Sequence, residues 1–114
     1  MERYASVITV RSEKLDYYRQ LHAQVWPGVL KMIEQCNMRN YSIFLREVEL
    51  GKYFLFSYYE YIGTDRVADR KKMAADPETQ RWWKETLPCQ QPIPLAQTGE
   101  GWSRMEELFH HAGD

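Results

Sequence analysis

The stretch Tyr53-Phe54-Leu55-Phe56-Ser57-Tyr58-Tyr59-Glu60-Tyr61 most constrains how this chain can fold. Such a run of aromatic residues predicts an extended strand, and an extended backbone sends alternate side chains to opposite sides. Tyr53, Leu55, Tyr59 and Tyr61 then point one way, and Phe54, Phe56 and Tyr58 the other. A sheet built on this strand wants cover on both faces. In 114 residues the available helices can cover only one of them. The other face must meet a partner subunit, a ligand cavity, or both.

Around this strand the remaining elements follow. Arg3 to Val10 reads as a first strand, with Val7, Ile8 and Val10 supplying β-branched character. Ser12 offers an N-cap for a following helix. From Leu15 to Ile33 apolar residues recur at spacings of three and four, giving one helical stripe. Pro27 cannot donate to the carbonyl of Ala23, so the helix must kink or restart there. Asn40 to Glu49 reads as a second strand, joined to the third by a turn at Glu49-Leu50-Gly51-Lys52. Thr64 to Ala75 reads as a helix. Asp76 and Pro77 then start a short one, as N-cap and first helical residue, which Pro88 should stop. The stretch from Pro88 to Gly101 is too long and too rich in Pro and Gly for a routine turn, and reads as a binding loop or a surface wrap. Ser103 to Phe109 fits helix and strand equally. The order β-α-β-β-α-β predicts an α+β, ferredoxin-like sandwich in one domain spanning 1–114, of a kind that commonly pairs through its open sheet face.

Composition narrows the function classes. Net charge is −1, so no basic surplus exists to neutralise phosphates, and nucleic acid is not an expected partner. The first residues resemble neither a secretory signal nor a membrane span. Cys36 and Cys89 stand apart without a CxxC partner, as reduced thiols do in the cytosol, so a cytoplasmic location is expected. Metal binding is not expected either. His110 and His111 are adjacent and would point apart on a strand, and no HExxH or two-His-plus-carboxylate spacing occurs. Nucleophile elbows and Gly-rich phosphate loops are missing as well. What remains is acid–base chemistry without a cofactor.

His22 is the residue best suited to it. It falls inside the apolar stripe, four residues after Tyr18 and four before Trp26, so the three stack along one helix face. A histidine so placed can exchange a proton near neutral pH. Spacing alone also describes a buried histidine with one hydrogen bond and no chemistry. Trp82 and Trp83 project about 100° apart on a helix, so one can enter the core while the other faces outward or into a cavity. An indole in a cavity would stack on the apolar C–H face of a sugar ring, whereas two core indoles would only staple the helix to the sheet. Tyr41, opening the second strand, could donate a hydrogen bond into a cavity or simply pack in the core.

Three motifs in order, Tyr18-x-x-x-His22-x-x-x-Trp26-Pro27, Asn40-Tyr41-Ser42-Ile43 and Gln80-Arg81-Trp82-Trp83, resemble those of the L-rhamnose mutarotase family. The similarity runs from about Arg3 to Phe109. It implies a ferredoxin-like domain that dimerises into an α/β barrel, with Ser103 to Phe109 as the last strand. It further implies an isomerase that interconverts the α and β anomers of L-rhamnose or a related deoxy-hexose such as L-fucose, without a cofactor. Carried over position by position, His22 would be the catalytic proton donor, and Tyr18, Tyr41, Trp82 and Trp83 would line the sugar pocket. The Pro88 to Gly101 loop would border the pocket of its own or the neighbouring subunit. Two other readings use the same architecture. One is a cofactor-free monooxygenase or haem-degrading enzyme, which would bind a flat aromatic ligand. The other is a non-catalytic sugar-binding module in which His22 only supplies a hydrogen bond.

Overall fold

The computed structural model describes residues 1–113. Strand β1 spans Glu2–Val10, and a 3₁₀ turn at Ser12–Lys14 leads into helix α1, Leu15–Ala23. Ser12 lies inside that turn, and no side chain caps the start of α1, so the expected N-cap is not formed. Pro27 restarts the chain as the first residue of helix α2, Pro27–Gln35. Trp26, the residue before it, is held extended at φ −62°, ψ 136°, as the steric demand of a following proline requires. Strands β2, Met38–Glu49, and β3, Lys52–Tyr61, form the hairpin, with Gly51 at φ 75° in the turn. Helix α3, Arg66–Ala75, begins at Asp65, whose carboxylate accepts from Ala68 N–H. Helix α4, Pro77–Thr86, begins at Asp76, which accepts from Thr79 N–H at 2.9 Å. Pro88 sits in a closing 3₁₀ turn, Leu87–Cys89. No helix among the described residues is long and apolar enough to cross a membrane.

The molecule is a mixed α/β fold with an antiparallel sheet in the order β2-β3-β1-β4, where β4 is Gln90–Gln91. The short β5, Ser103–Arg104, also pairs with β1. The register shows that β4 and β5 are two pieces of one edge strand. Thr9 faces Gln91 and Val7 faces Ser103, so two steps along β1 correspond to twelve along its neighbour. Ten residues are therefore looped out of a strand that resumes its line afterwards. The last strand expected to reach Phe109 stops at Arg104, apart from a 2.8 Å bond from Met105 N–H to the Ala5 carbonyl. Beyond it Glu107 pairs with Arg3 at 2.8 Å, while Leu108 and Phe109 are exposed and find no core surface to extend a ladder over.

The described helices lie on one side of the sheet, with α4 packed on α2 and α3. Leu15 and Tyr18 of α1 pack with Ile8, Val10, Leu55 and Cys89 in one buried cluster, which Trp102 from the end of the loop also touches. Arg66 and Asp69 of α3 bond to Tyr59 and Tyr61. The opposite face carries Phe54 and Phe56, stacked at 6.4 Å, with Phe44 directly across from Phe56. Phe44 stays 62% exposed.

Candidate active site

Between the helix layer and the covered sheet face lies a cavity of about 550 Å³, within the size range of small-molecule sites. One wall is apolar, built by Leu15, Val29 and Ile33 from the helices and Ile43, Leu45 and Leu55 from the sheet. The polar groups gather elsewhere on its lining: Tyr18, Arg19 and His22 from α1, Tyr41 from β2 and Trp82 from α4. Four of the five residues singled out in the sequence thus share one cavity. Trp83 is half-buried and does not line it, as the rotation between neighbouring helical residues requires once Trp82 turns inward.

His22 is fixed from two sides. Its ring stacks on Tyr18 at 4.3 Å and meets the edge of Trp82 at 5.3 Å. Its Nδ1 lies 2.9 Å from the Tyr18 carbonyl. A carbonyl oxygen only accepts, so Nδ1 carries the hydrogen and Nε2 keeps its lone pair in the neutral ring. Nε2 has no protein partner among the described residues. Burial pushes the imidazole below its ordinary value of 6.5, partly opposed by the bond to the Tyr18 carbonyl. The ring is therefore neutral at physiological pH and ready to take a proton.

Trp26 is not on the same helix as Tyr18 and His22, contrary to the expected three-residue stack. The helix ends at Ala23, and Trp82 inserts between the two segments, its ring 5.1 Å from Trp26 and edge-on to it. The row is Tyr18, His22, Trp82, Trp26. Spacing within one element could not reveal a side chain inserted from a distant helix.

Tyr41 owes its direction to a bulge. Between the pairs Arg39–Glu60 and Ser42–Tyr58 two residues of β2 face one of β3. Asn40 takes up the irregularity at φ 51°, a left-handed conformation that Asn tolerates better than most residues. This sets the Tyr41 ring 5.6 Å from that of Tyr59 and on the cavity wall. Burial of its hydroxyl, followed by the nearby phenols of Tyr18 and Tyr59, pushes its pKa up to about 12, although the residue as a whole stays 40% exposed. Burial also raises the Tyr18 phenol. Both phenols remain protonated at neutral pH, so neither is a base. Among the described residues no carboxylate lines the cavity, and His22 is the one lining group that gains and loses a proton near neutrality.

Three contributors were not legible in the sequence. Arg19 follows Tyr18 as an ordinary helix-surface charge. The apolar wall draws one or two residues from each of four elements. Gln90, which donates to the Tyr18 hydroxyl at 3.1 Å, lies 72 positions away in the chain. The Pro88 to Gly101 loop contributes no lining residue to the cavity of its own chain. Its end is held at the sheet edge, where Ser103 Oγ–H donates to Glu100 at 2.9 Å.

Residues 3–111 match the family model for L-rhamnose mutarotase. The L-rhamnose mutarotase of Bacillus subtilis is 36% identical over 88 residues, covering 77% of this chain and 79% of that protein. That of Jannaschia sp. is 32% identical over 105 residues, covering 83% and 93%. Among solved structures, an L-rhamnose mutarotase from Formosa agariphila superposes with a TM-score of 0.71 over 97% of this chain and 99% of that one; at 21% identity this shows a shared fold. On the extent of the family match and the identity to these relatives, the chain belongs to the L-rhamnose mutarotase family.

Proposed function

We propose that this protein is a sugar mutarotase, interconverting the α and β anomers of L-rhamnose or a related deoxy-hexose such as L-fucose. Family membership supports the reaction type over a haem-degrading or monooxygenase role and over a passive binding module. The observation that carries the mechanism is His22, which lines the cavity with Nδ1 tied to a backbone carbonyl and Nε2 without a protein partner among the described residues.

Mutarotation moves one proton. The anomeric hydroxyl loses its hydrogen as the C1–O1 bond becomes a carbonyl. The electron pair of the C1–ring-oxygen bond goes to the ring oxygen, which gains a proton. Rotation about C1–C2 and reclosure on the other carbonyl face reverse these steps. Both oxygens are bonded to the same carbon, so one imidazole nitrogen can serve both. Neutral Nε2 accepts the hydrogen from the anomeric hydroxyl, and the resulting imidazolium delivers it to the ring oxygen as the proton donor. The phenols of Tyr18 and Tyr41, protonated throughout, hydrogen-bond to sugar oxygens, and Trp82 presents an apolar surface to the pyranose. The apolar wall suits the methyl group of a deoxy-sugar. Trp83 enters this proposal only as the residue that backs the same helix, outside the cavity.

The finer architecture belongs to the same proposal. The strand order β2-β3-β1-β4 supports a ferredoxin-like sandwich in one domain over 1–114. The exposed Phe44, beside Phe54 and Phe56, supports a homodimer closed through the open face into an α/β barrel. The sparse, buried cysteines fit a cytoplasmic location.

Saturation-transfer NMR with L-rhamnose and L-fucose tests the function. Wild-type protein should speed anomer exchange for at least one sugar. His22→Ala should remove roughly 10²- to 10⁴-fold of that acceleration, the usual contribution of a positioned acid–base group, with the fold intact by circular dichroism. Wild-type exchange rates in the variant would exclude His22 as the proton carrier.

A further inference from the structure

Tyr18 is held at both ends. Its carbonyl accepts from His22 Nδ1 at 2.9 Å, and its hydroxyl oxygen accepts from Gln90 Nε2 at 3.1 Å. A phenol that accepts from an amide N–H still has its own O–H to give. Among the described residues that O–H has no acceptor, and Tyr18 lines the cavity. Gln90 is itself anchored. It opposes Val10 in β4, and its neighbour Gln91 gives its carbonyl to the Thr9 hydroxyl as well as pairing with Thr9 in the sheet. The amide oxygen of Gln90 is buried without a hydrogen-bond partner. A buried under-satisfied carbonyl is tolerated more readily than a buried orphan N–H, and that favours the orientation with the amide N–H toward the phenol.

We propose that Gln90 is a positioning residue that sets the hydrogen-bond polarity of Tyr18. By occupying the phenol oxygen as a donor, it turns the Tyr18 O–H toward the sugar, where it stabilises the negative charge that builds on oxygen as the ring opens. Tyr18 is then a dedicated donor and His22 a dedicated carrier of the moving proton. The inference rests on the mutarotase reading for its effect on turnover, but not for the polarity itself. It also explains why the ten-residue loop can leave the edge strand after Gln91 without disturbing the site: the sheet pairing on the near side of the excursion keeps Gln90 in place.

Two variants of opposite chemistry test this. Gln90→Leu deletes the donor, leaving Tyr18 free to choose, and should lower kcat by roughly 3- to 10-fold, the worth of one neutral hydrogen bond. Gln90→Glu reverses the polarity: an ionised carboxylate accepts the Tyr18 O–H and leaves only a lone pair facing the sugar. Its kcat should fall by roughly 10- to 100-fold, the deficit relative to wild type at the same pH should shrink as pH is lowered and the new carboxyl protonates, and little further change should follow when it is combined with Tyr18→Phe. The Tyr18 phenol, followed by its ring-carbon NMR signal, should titrate at higher pH in Gln90→Glu than in wild type. Equal losses in the two variants with no new pH dependence would overturn the proposal, as would full additivity with Tyr18→Phe or an unchanged phenol titration. Should the wild type show no anomer exchange at all, the function proposed above fails, and the phenol titration alone decides for or against the polarity.

Discussion

The two faces of one sheet have opposite fates, although the strand between them is aromatic on both sides. On the helix-covered face Ile8 and Leu55 are each only 2% exposed, and Tyr61 3%. On the other, Phe44 is 62% exposed. The difference lies in what the chain has left to spend on cover. The described helices lie on the side of the first face, and there they enclose a cavity instead of closing on the sheet completely. On the second face no helix of the described residues lies over the stacked Phe54 and Phe56, and the segment after β5 reaches it only at its edge, through the Arg3–Glu107 pair. One face carries the buried core and the cavity; the other leaves Phe44 largely exposed.

This contrast can be broken by substitution. Leu55→Ala, at the centre of the covered face, should cost about 2–5 kcal/mol, the range for large-to-small changes in a packed core. Its position beside the cavity leaves room for partial relaxation, so a value at the lower end would fit too. Urea unfolding checks it, and a change under about 1 kcal/mol would mean that this face is not the core. Phe56→Glu, on the open face, should leave a single chain folded but weaken its self-association by about 2 kcal/mol or more, as loss of a central aromatic contact does. Sedimentation should then show wild type as a dimer and the variant shifted to monomer. A wild type that is monomeric at micromolar concentration would remove the second copy from the account of this face.

Much of this was readable from the sequence, for reasons tied to particular residues. Pro27 fixed the break between α1 and α2, because a residue without an N–H cannot continue a helix. Asp76-Pro77 marked the start of α4 to the residue. The hairpin lay within two residues of its expected bounds, since Gly51 can adopt the positive φ its turn demands. Ser12 misled, because a 3₁₀ turn took up the position where a cap would sit. The end of the chain misled as well. Ser103-Arg104 joins the sheet, while the apolar Leu108 and Phe109 that suggested a longer strand have nothing to pack on in one chain. In the site, Tyr18, His22 and Tyr41 were visible as local motifs. Gln90 was not, since its meaning depends on the edge strand that brings it against Tyr18, and no local spacing encodes that. Trp82 and Trp83 were indistinguishable until the helix had a direction to face.

The central claim is that a neutral imidazole at His22 takes the proton that mutarotation moves. Burial holds its pKa below 6.5, so the neutral form persists to more acidic pH than in a free peptide and is lost only as pH falls through the lowered value. The direct test is the pH dependence of kcat/KM for anomer exchange by the free enzyme, which reports that group. Activity should be full at neutral pH and decline on the acid side with a midpoint below 6.5, a limb absent from the residual activity of His22→Asn. Activity that falls as pH rises toward neutrality, or an acid limb unchanged in His22→Asn, would contradict the account.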